Sequence, residues 1–420
     1  MQLWKRDRPI IESLLEIDVY KLLMLNFIDK FYPNLETRFQ FMTRTQHAHV
    51  AAYVDADELR RELEQVMKLR FSESEAAYLR TWGVFPESFL RTLPDMKLAD
   101  DLHILRVDDT EKYIITVKGR WTETTLWETI VLAIVNELYT RGYAKAHGLS
   151  ESELIREGDR RFLDKMDALA GYPRLTFAQF GLRRRFSGAW ENHVTNLIVG
   201  YEFNAKNYRQ HLIGVSNVRL ARDLGVEAVG TNAHELPMAL YAFARHASNE
   251  AARQAPYEVL RQWQMLYGQR LLVMLPDTFG TDSFLDGLPR QYALDWRGSR
   301  QDSGDPYAYG EKWLAFYKKH GIDARDKLII FSDGLDVEKM VGLYERFSPH
   351  INVSFGWGTN LTNDLGIPPL SNVMKLAAAA GRSTVKLSDN IAKATGPEDE
   401  VRAAKRIFGY DVAFNEAPTY

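Results

Sequence analysis

Residues 226–235, VEAVGTNAHE, join a short apolar run to a polar cluster and then to a helical pattern. The apolar run ends at Gly230 and Thr231, His234 follows, and apolar residues recur at helical spacing from Leu236. The start of a helix has unpaired N–H groups and a partial positive charge, so it favours a bound anion. We therefore predict that His234 can accept a phosphoryl group on its ring. The alternative is a histidine that only caps a helix or packs in a loop.

The same sequence of apolar run, polar cluster and helical stretch recurs after Gly171. The runs are RLTFAQF (174–180), HLIGV (211–215), VEAVG (226–230), RLLVML (270–275), QYALDW (291–296), KLIIF (327–331) and INVSFG (351–356). Such a repeat predicts parallel strands joined by crossover helices, and seven units favour a barrel over an open sheet. In barrels the active site lies at the C-terminal ends of the strands, which is where these clusters fall.

The remaining chain divides into two further parts. Residues 10–28 have the apolar spacing of an amphipathic helix, 35–42 and parts of 86–120 alternate as strands, and 55–80, 121–139 and 150–169 are predicted to be helical. The prediction is an α/β protein: an N-terminal α+β domain over 1–140, an irregular (β/α) barrel over 141–372, and a C-terminal hairpin and tail over 373–420 that packs back on the N-terminal domain.

Composition excludes several classes of function. The 420 residues contain no cysteine, which excludes disulfides and thiolate chemistry, and the net charge is −3. This charge gives no reason to expect nucleic acid or a membrane as a partner. No apolar run reaches the roughly 18 residues of a spanning helix. We expect a cytoplasmic protein.

Three of the clusters suit phosphate or sugar chemistry. Gly358 and Thr359 form a glycine turn with a hydroxyl donor, in the loop position where barrels often bind phosphate. Asp333 and Gly334 follow the preceding strand, and Asp333 suits ribose hydroxyls or magnesium unless it is only a helix cap. RQDSGD (300–305) combines a guanidinium with two carboxylates, although a polar turn is the plainer interpretation.

Other patterns are weaker or absent. Arg183, Arg184 and Arg185 follow a strand and a glycine, although most such runs are solvated surface. For Tyr20 the plainer interpretation is core packing. The chain has no HExxH, GxSxG or Walker A motif, which weakens the zinc, hydrolase and P-loop interpretations.

Together, GTNAHE, RQDSGDP, FSDGLD, FGWGTN, FGLRRRFS and DVYK resemble the motifs of the nicotinate phosphoribosyltransferase family. The resemblance runs from about residue 10 to about residue 395. It implies a type II phosphoribosyltransferase fold, usually dimeric, and transfer of phosphoribosyl from phosphoribosyl pyrophosphate to nicotinate. It also implies ATP and Mg²⁺, with ATP hydrolysis coupled through a phosphohistidine.

The resemblance also implies roles for individual residues. His234 would carry the phosphoryl group, Thr231 and Arg300 would contact nicotinate or neighbouring oxygens, and Thr359 would bind the 5-phosphate. Tyr20, from this chain or a partner subunit, would stack on the pyridine ring. Asp302 and Asp333 would lie near ribose and magnesium. The predicted substrate-binding residues are Tyr20, Arg183, Thr231, Arg300, Asp302, Asp333, Gly334, Gly358 and Thr359, and no metal ligand is assigned.

The sequence leaves the base and the reaction class open. Gln179 stands where many relatives carry an acidic residue, which bears on base selectivity, and a neutral side chain suits an anionic substrate. Nicotinamide or quinolinate are alternative acceptors. A barrel lyase or isomerase that uses a Schiff-base lysine is a second alternative, for which the hairpin offers Lys375 and Lys386. A non-catalytic scaffold is a third.

Overall fold

The N-terminal part of the protein contains a five-stranded antiparallel sheet. The computed structural model describes residues 1–4, 7–45, 49–107, 110–200 and 207–416. The strands follow the order β11-β10-β1-β3-β2. In the first strand alternate side chains are buried, as its sequence predicts for a sheet with one covered face. The strands are β1 (Glu36–Thr43), β2 (Asp101–Val107), β3 (Lys112–Arg120), β10 (Asn372–Ala379) and β11 (Arg382–Ser383).

Helices surround this sheet. The longest, Trp127–Ala146, is buried over most of its length because it is apolar nearly all round. The next begins at a capping box, in which Ser150 and Glu153 satisfy each other's backbone N–H groups. These helices are α1 (Val19–Phe31), α2 (Val50–Tyr53), α3 (Ala56–Met67), α4 (Glu73–Arg80), α5 (Glu87–Thr92), α6 (Trp121–Thr124), α7 (Trp127–Ala146) and α8 (Glu151–Leu169). No helix in the described ranges is long and apolar enough to cross a bilayer.

The second sheet has six parallel strands in the order β5-β4-β9-β8-β7-β6. They are β4 (Phe177–Gln179), β5 (Leu212–Val215), β6 (Val273–Met274), β7 (Gly298–Gln301), β8 (Leu328–Phe331) and β9 (Asn352–Trp357). The connecting helices are α9 (Gly188–Val199), α10 (Val218–Leu224), α11 (Glu235–Ala244), α12 (Asn249–Tyr267), α13 (Thr281–Gly287), α14 (Arg290–Asp295), α15 (Pro306–Lys319), α16 (Val337–Phe347) and α17 (Thr359–Thr362). The predicted α/β class with a separate N-terminal α+β unit is confirmed.

The predicted irregular barrel is not closed by a continuous ladder of strands in the described residues. Beyond β5, residues 226–229 make only one bridge, between Ala228 and Val215. The Asn232 side chain then reaches the carbonyl of Val273 in β6, at 3.5 Å. The prediction of a full strand at 226–230 was therefore wrong. This stretch crosses the seam of the barrel and delivers residues 230–234 to the pocket.

Two other local predictions were wrong. QYALDW is not a strand, because Pro289 begins a short helix, α14. The strand is the buried GSRQ that follows, β7, which periodicity missed because three of its four residues have polar side chains. The helix predicted over 10–28 begins only at Val19, because Asp18 is extended. Backbone N–H groups of residues 218 and 219 bond to carbonyls 17 and 15, so this segment runs along the barrel instead.

The C-terminal region contacts both units. Strands β10 and β11 complete the N-terminal sheet, with β10 paired to β1. Helix α18 (Glu398–Phe408) packs against α12, and the ring of Phe408 stacks on Phe279 at 4.1 Å. Between them, residues 384–396 cross the strand ends of the parallel sheet, where the amide of Leu387 donates to the carbonyl of Thr278. This segment therefore brings hairpin side chains to the barrel clusters.

Candidate active site

One pocket lies between the C-terminal ends of the parallel strands and the antiparallel sheet. Every residue predicted as a site residue lines it: Tyr20, Arg183, Thr231, His234, Arg300, Asp302, Asp333, Gly334, Gly358 and Thr359. The side chains come from loops that follow β4, β7, β8 and β9, from residues 230–234, and from α1. The carboxyl ends of parallel strands meet at one edge, so residues far apart in sequence converge there.

His234 lies at the start of α11 and both of its ring nitrogens have partners. Nδ1 is 2.9 Å from the Thr278 hydroxyl, and Nε2 is 3.0 Å from Asp302 Oδ2 and 2.9 Å from Lys386 Nζ. Asp277 Oδ1 lies 3.6 Å from Nε2. In either tautomer one nitrogen has an acceptor, Asp302 or Thr278, and the other nitrogen keeps its lone pair.

The charges around His234 favour a neutral ring beside an ionised carboxylate. Burial lowers the pKa of the imidazole, and the ammonium of Lys386 acts in the same direction, although Asp277 and Asp302 oppose both. Burial alone would raise the pKa of Asp302, but the guanidinium of Arg300 and the contact with His234 hold it well below its usual range. A neutral imidazole can act as a nucleophile, whereas a protonated one cannot.

Arg300 is fixed at the end of β7. Its Nη1 donates to Asp302 Oδ1 at 2.6 Å, and its Nη2 donates to the carbonyl of Asn232 at 3.0 Å. Nη1 also lies 3.3 Å from the hydroxyl of Ser332, which follows β8. Its Nε is buried without a hydrogen-bond partner among the described residues. Arg300 thus connects the loops after β7 and β8 with the segment that carries His234.

Tyr20 and Arg183 line another part of the pocket. The guanidinium carbon of Arg183 lies 5.7 Å from the centre of the Tyr20 ring, in the same chain. With the residues that the structure describes, Arg183 makes long ion pairs alone, 3.7 Å to Asp18 and 3.6 Å to Glu128. The Tyr20 hydroxyl is buried without a hydrogen-bond partner in the described structure. An aromatic face and a cation with long ion pairs suit a flat, anionic ligand.

Two glycines, Gly230 and Gly334, allow the backbone conformations that bring the segments of the pocket together. A side chain at Gly230 would come within 2.9 Å of the Val19 Cβ, so only glycine lets residues 226–231 pack against α1. Gly334 has φ +55°, a conformation in which glycine carries no penalty, and it turns the loop after Asp333. Thr359 begins the short helix α17 after the turn at Gly358. These contacts bring the Tyr20 and His234 regions to one pocket.

Several basic residues that were not predicted as site residues also line the pocket. They are Arg44, Arg184, Lys375, Lys386 and Lys393. Lys393 pairs with Asp333 and donates to the carbonyl of Asp302. Lys375 has no ion-pair or hydrogen-bond partner among the described residues. Desolvation and the neighbouring cations lower its pKa well below the usual lysine value. A basic cluster with an unpaired amine suits a polyanionic ligand.

For the pocket residues that were not predicted as site residues, the sequence offers a signal in some cases and none in others. Asp277 and Thr278 follow the apolar run RLLVML after Pro276, so the strand-end rule that found Asp302 covers them as well, although neither was predicted as a site residue. Glu128 lies within α7 and the lysines come from the hairpin and the segment after it, where no strand-end rule applies. Within the residues that the structure describes, no group of three or more metal-ligating side chains is close enough to hold a metal ion.

Comparisons with known proteins agree with this geometry. Residues 175–412 match the model of the nicotinate phosphoribosyltransferase (NAPRTase) family, and residues 15–136 match the model of its N-terminal domain. The chain is 30% identical to a nicotinate phosphoribosyltransferase from Vibrio cholerae, covering 96% of this chain and 95% of that one, with a TM-score of 0.85. It is 28% identical to the enzyme from Porphyromonas gingivalis, covering 95% and 100%, with a TM-score of 0.83. The chain therefore belongs to the nicotinate phosphoribosyltransferase family.

Proposed function

We propose that this protein transfers the phosphoribosyl group of phosphoribosyl pyrophosphate to nicotinate, and that it couples this transfer to ATP hydrolysis through a phosphohistidine at His234. The observation that carries the proposal is the convergence of the family's motif residues on one pocket. That pocket combines the His234 imidazole, a basic cluster, and an aromatic ring beside an arginine. A homodimer and a cytoplasmic location remain part of this proposal.

The glycosyl transfer itself needs no protein nucleophile. The pyridine nitrogen attacks the anomeric carbon, the bond to pyrophosphate breaks, and positive charge develops on the ribose ring. Catalysis then consists of positioning the base and stabilising the leaving group. Tyr20 and Arg183 would hold the base, and Thr359 with the glycine turn would hold the 5-phosphate. Lys375 and its basic neighbours would hold the pyrophosphate.

The coupling to ATP rests on His234. The lone pair of one ring nitrogen attacks the terminal phosphorus of ATP, the bond to ADP breaks, and water later removes the phosphoryl group from the ring. The ring nitrogen that carries the proton donates a hydrogen bond to Asp302 or Thr278, which fixes the ring. Lys386 lies 2.9 Å from Nε2 and can offset the charge of the phosphoryl group. Magnesium would lie near Asp302 and Asp333, bound mainly through substrate oxygens and water, and would neutralise phosphate charge.

One assay tests the reaction. The purified protein is incubated with phosphoribosyl pyrophosphate and nicotinate, nicotinamide or quinolinate, with and without ATP, and the mononucleotides are separated. We expect product mainly from nicotinate, and more of it with ATP. Faster turnover of nicotinamide would reject the proposed base. Incubation with radiolabelled ATP, followed by mapping of acid-labile phosphate, should place the label on His234.

Replacement of the histidine tests the coupling alone. His234→Ala should abolish ATP hydrolysis and the gain from ATP, while slow ATP-independent transfer remains, because the ring is needed only for the phosphoryl step. His246→Ala, at an exposed histidine outside the pocket, is the control and should behave as the wild type. Full ATP stimulation in His234→Ala would rule out the phosphohistidine.

A lyase or isomerase reaction through a lysine Schiff base is the second candidate function. Lys375 has the lowered pKa that such a lysine needs, and it lines the pocket. Borohydride reduction in the presence of a sugar phosphate would leave a stable adduct on Lys375. Family membership favours the phosphoribosyl transfer, in which the same lysine holds an anion.

A further inference from the structure

The part of the pocket around Tyr20 and Arg183 includes a buried carboxylate, Asp18, that was not predicted as a site residue. Asp18 is 2% exposed and stands at the N-terminus of α1, yet its side chain caps no backbone N–H there. The Ser216 hydroxyl donates to Oδ1. Oδ2 has no hydrogen-bond partner among the described residues and lies 3.7 Å from Arg183 Nε. A buried, pocket-lining carboxylate oxygen therefore lacks a hydrogen bond.

The backbone holds Asp18 in this position. The amide of Val19 donates to the carbonyl of Ser216 at 2.7 Å, and Asp18 forms a bridge with Asn217. These bonds join the start of α1 to the end of β5, so Asp18 cannot withdraw from the pocket. Arg183 is different, because its side chain is 37% exposed and its ion pairs are long. A ligand can therefore draw Arg183 toward itself more easily than it can displace Asp18.

The ion pairs in this part of the pocket have an excess of negative charge. Arg183 contacts Asp18 and Glu128, and Lys21 contacts Glu128 at 2.6 Å and Glu235 at 2.5 Å. Three carboxylates thus share two cations. An anionic ligand beside Arg183 adds another negative charge, and the carboxylate with the weakest hydrogen bonding is the one that a proton would neutralise first.

Among the described residues, the groups that face Asp18 come from several elements: Tyr20 of α1, Glu128 of α7, Arg183 of the turn after β4, Glu191 of α9 and Ser216 after β5. Burial raises the pKa of Asp18 to about 6; Arg183 and the Ser216 hydroxyl oppose this rise, whereas Glu191 and Glu128 add to it. Glu128 is different, because Lys21 lowers its pKa against the effect of burial. Burial raises the pKa of Tyr20 well above its usual value, so the phenol keeps its proton.

We propose that Asp18 is a specificity residue that takes up one proton from solvent when an anionic pyridine carboxylate binds beside Tyr20 and Arg183. The proton goes to Oδ2, the resulting O–H donates to the carboxylate of the ligand, and Arg183 turns toward the same anion. The net charge of the pocket is then unchanged by binding. A neutral amide of the same ring brings no charge and causes no uptake. This inference rests on the proposed function, because it takes nicotinate as the base.

Calorimetry measures the proton directly. Nicotinate is titrated into the full-length protein near neutral pH in two buffers of different ionisation enthalpy, so that the difference in heat gives the protons taken up. The wild type should take up protons with nicotinate and none with nicotinamide. Asp18→Asn, which keeps the shape and removes the charge, should take up none. In steady state, the KM for nicotinate should rise above about pH 6, by up to about tenfold per pH unit, in the wild type alone.

A matched control separates Asp18 from other buried acids. Glu137 is also buried, pairs loosely with an arginine, and has a pKa that burial raises to about 7, but it does not line this pocket. Glu137→Gln should take up the same protons with nicotinate as the wild type. Ser216→Ala removes the hydroxyl that stabilises the ionised Asp18, so the pH at which KM begins to rise should move upward. This variant tests the same idea if Asp18→Asn folds poorly.

The outcomes distinguish this inference from the proposed function. If Asp18→Asn binds nicotinate with undiminished proton uptake and the same pH profile, the role of Asp18 is rejected although the enzyme is a nicotinate phosphoribosyltransferase. If uptake is lost in Glu137→Gln instead, the proton belongs to that residue. If the wild type neither binds nor converts nicotinate, it is the proposed function that fails.

Discussion

Arg183 and Arg185 lie two residues apart in one arginine triplet, but they have opposite surroundings. Arg185 is 1% exposed and donates to Glu16 at 2.8 Å and to Glu191 at 3.1 Å. Arg183 lines the pocket, and its shortest ion pair is 3.6 Å. The first arrangement leaves the guanidinium almost no freedom, whereas the second leaves donors available to a ligand. Short, buried ion pairs thus mark the arginine that holds the fold, and long ones mark the arginine that can bind.

Removal of Arg185 should have the largest effect on stability. Arg185→Met keeps the bulk but leaves Glu191 buried without a cation and Glu16 with Arg219 alone, and breaking a buried pair from one side costs about 3–5 kcal/mol. The free energy of unfolding in urea measures this loss. Arg160→Met is the control: Arg160 is exposed and pairs with surface acids, so the loss there should stay below about 1 kcal/mol. Equal losses in the two variants would contradict the comparison.

Removal of Arg183 should instead affect the reaction. Arg183→Met should lower kcat/KM for nicotinate by about 100-fold, or about 2–3 kcal/mol, because a cation that contacts the anionic base is lost from a desolvated site. Its free energy of unfolding should change by less than about 1 kcal/mol, since its ion pairs are long and Asp18 can take up a proton when they are lost. A loss of stability as large as that of Arg185→Met would make Arg183 a structural residue.

The sequence predicted the pocket well because one rule positions most of it. Side chains that follow parallel strands meet at the same edge, so Asp302, Asp333 and Thr359 could be grouped without knowledge of any contact. The rule did not require each strand to be identified correctly. The run QYALDW is helix α14, yet the cluster at 300–305 still follows a strand, β7, because that strand lies directly before it.

The parts that sequence could not predict depend on contacts between distant segments. The run of three arginines does not reveal which of them line the pocket, because their surroundings come from α1, α7 and α9. Lys386 reaches His234 across 152 positions of the chain. Asp18 has the sequence signature of a helix cap, but the bond from Val19 to Ser216 turns this residue toward the pocket instead. Such roles follow from tertiary packing and leave no periodic signal.

The Arg185 network also contains a pH-dependent group, which gives the smallest predicted effect. Glu137 accepts a hydrogen bond from the amide of Gly188 at 3.0 Å and lies 3.9 Å from Arg185, and burial raises its pKa to about 7. The folded protein therefore holds this proton more tightly than the unfolded chain. The resulting stabilisation is complete below the ordinary carboxyl pKa of 4.5 and is lost as the pH rises through about 7.

Glu137→Gln should remove this dependence, because the amide stays neutral at every pH. Near pH 5 the variant should match the wild type. Between about pH 5.5 and about pH 7.5 it should gain about 2 kcal/mol relative to the wild type, so it becomes the more stable protein at alkaline pH. Urea unfolding of both proteins across this range measures the difference. If the difference in the free energy of unfolding between the two proteins were the same at every pH, Glu137 would be ionised throughout this range. Its carboxylate would then be a charged partner of Arg185, as Glu16 and Glu191 are.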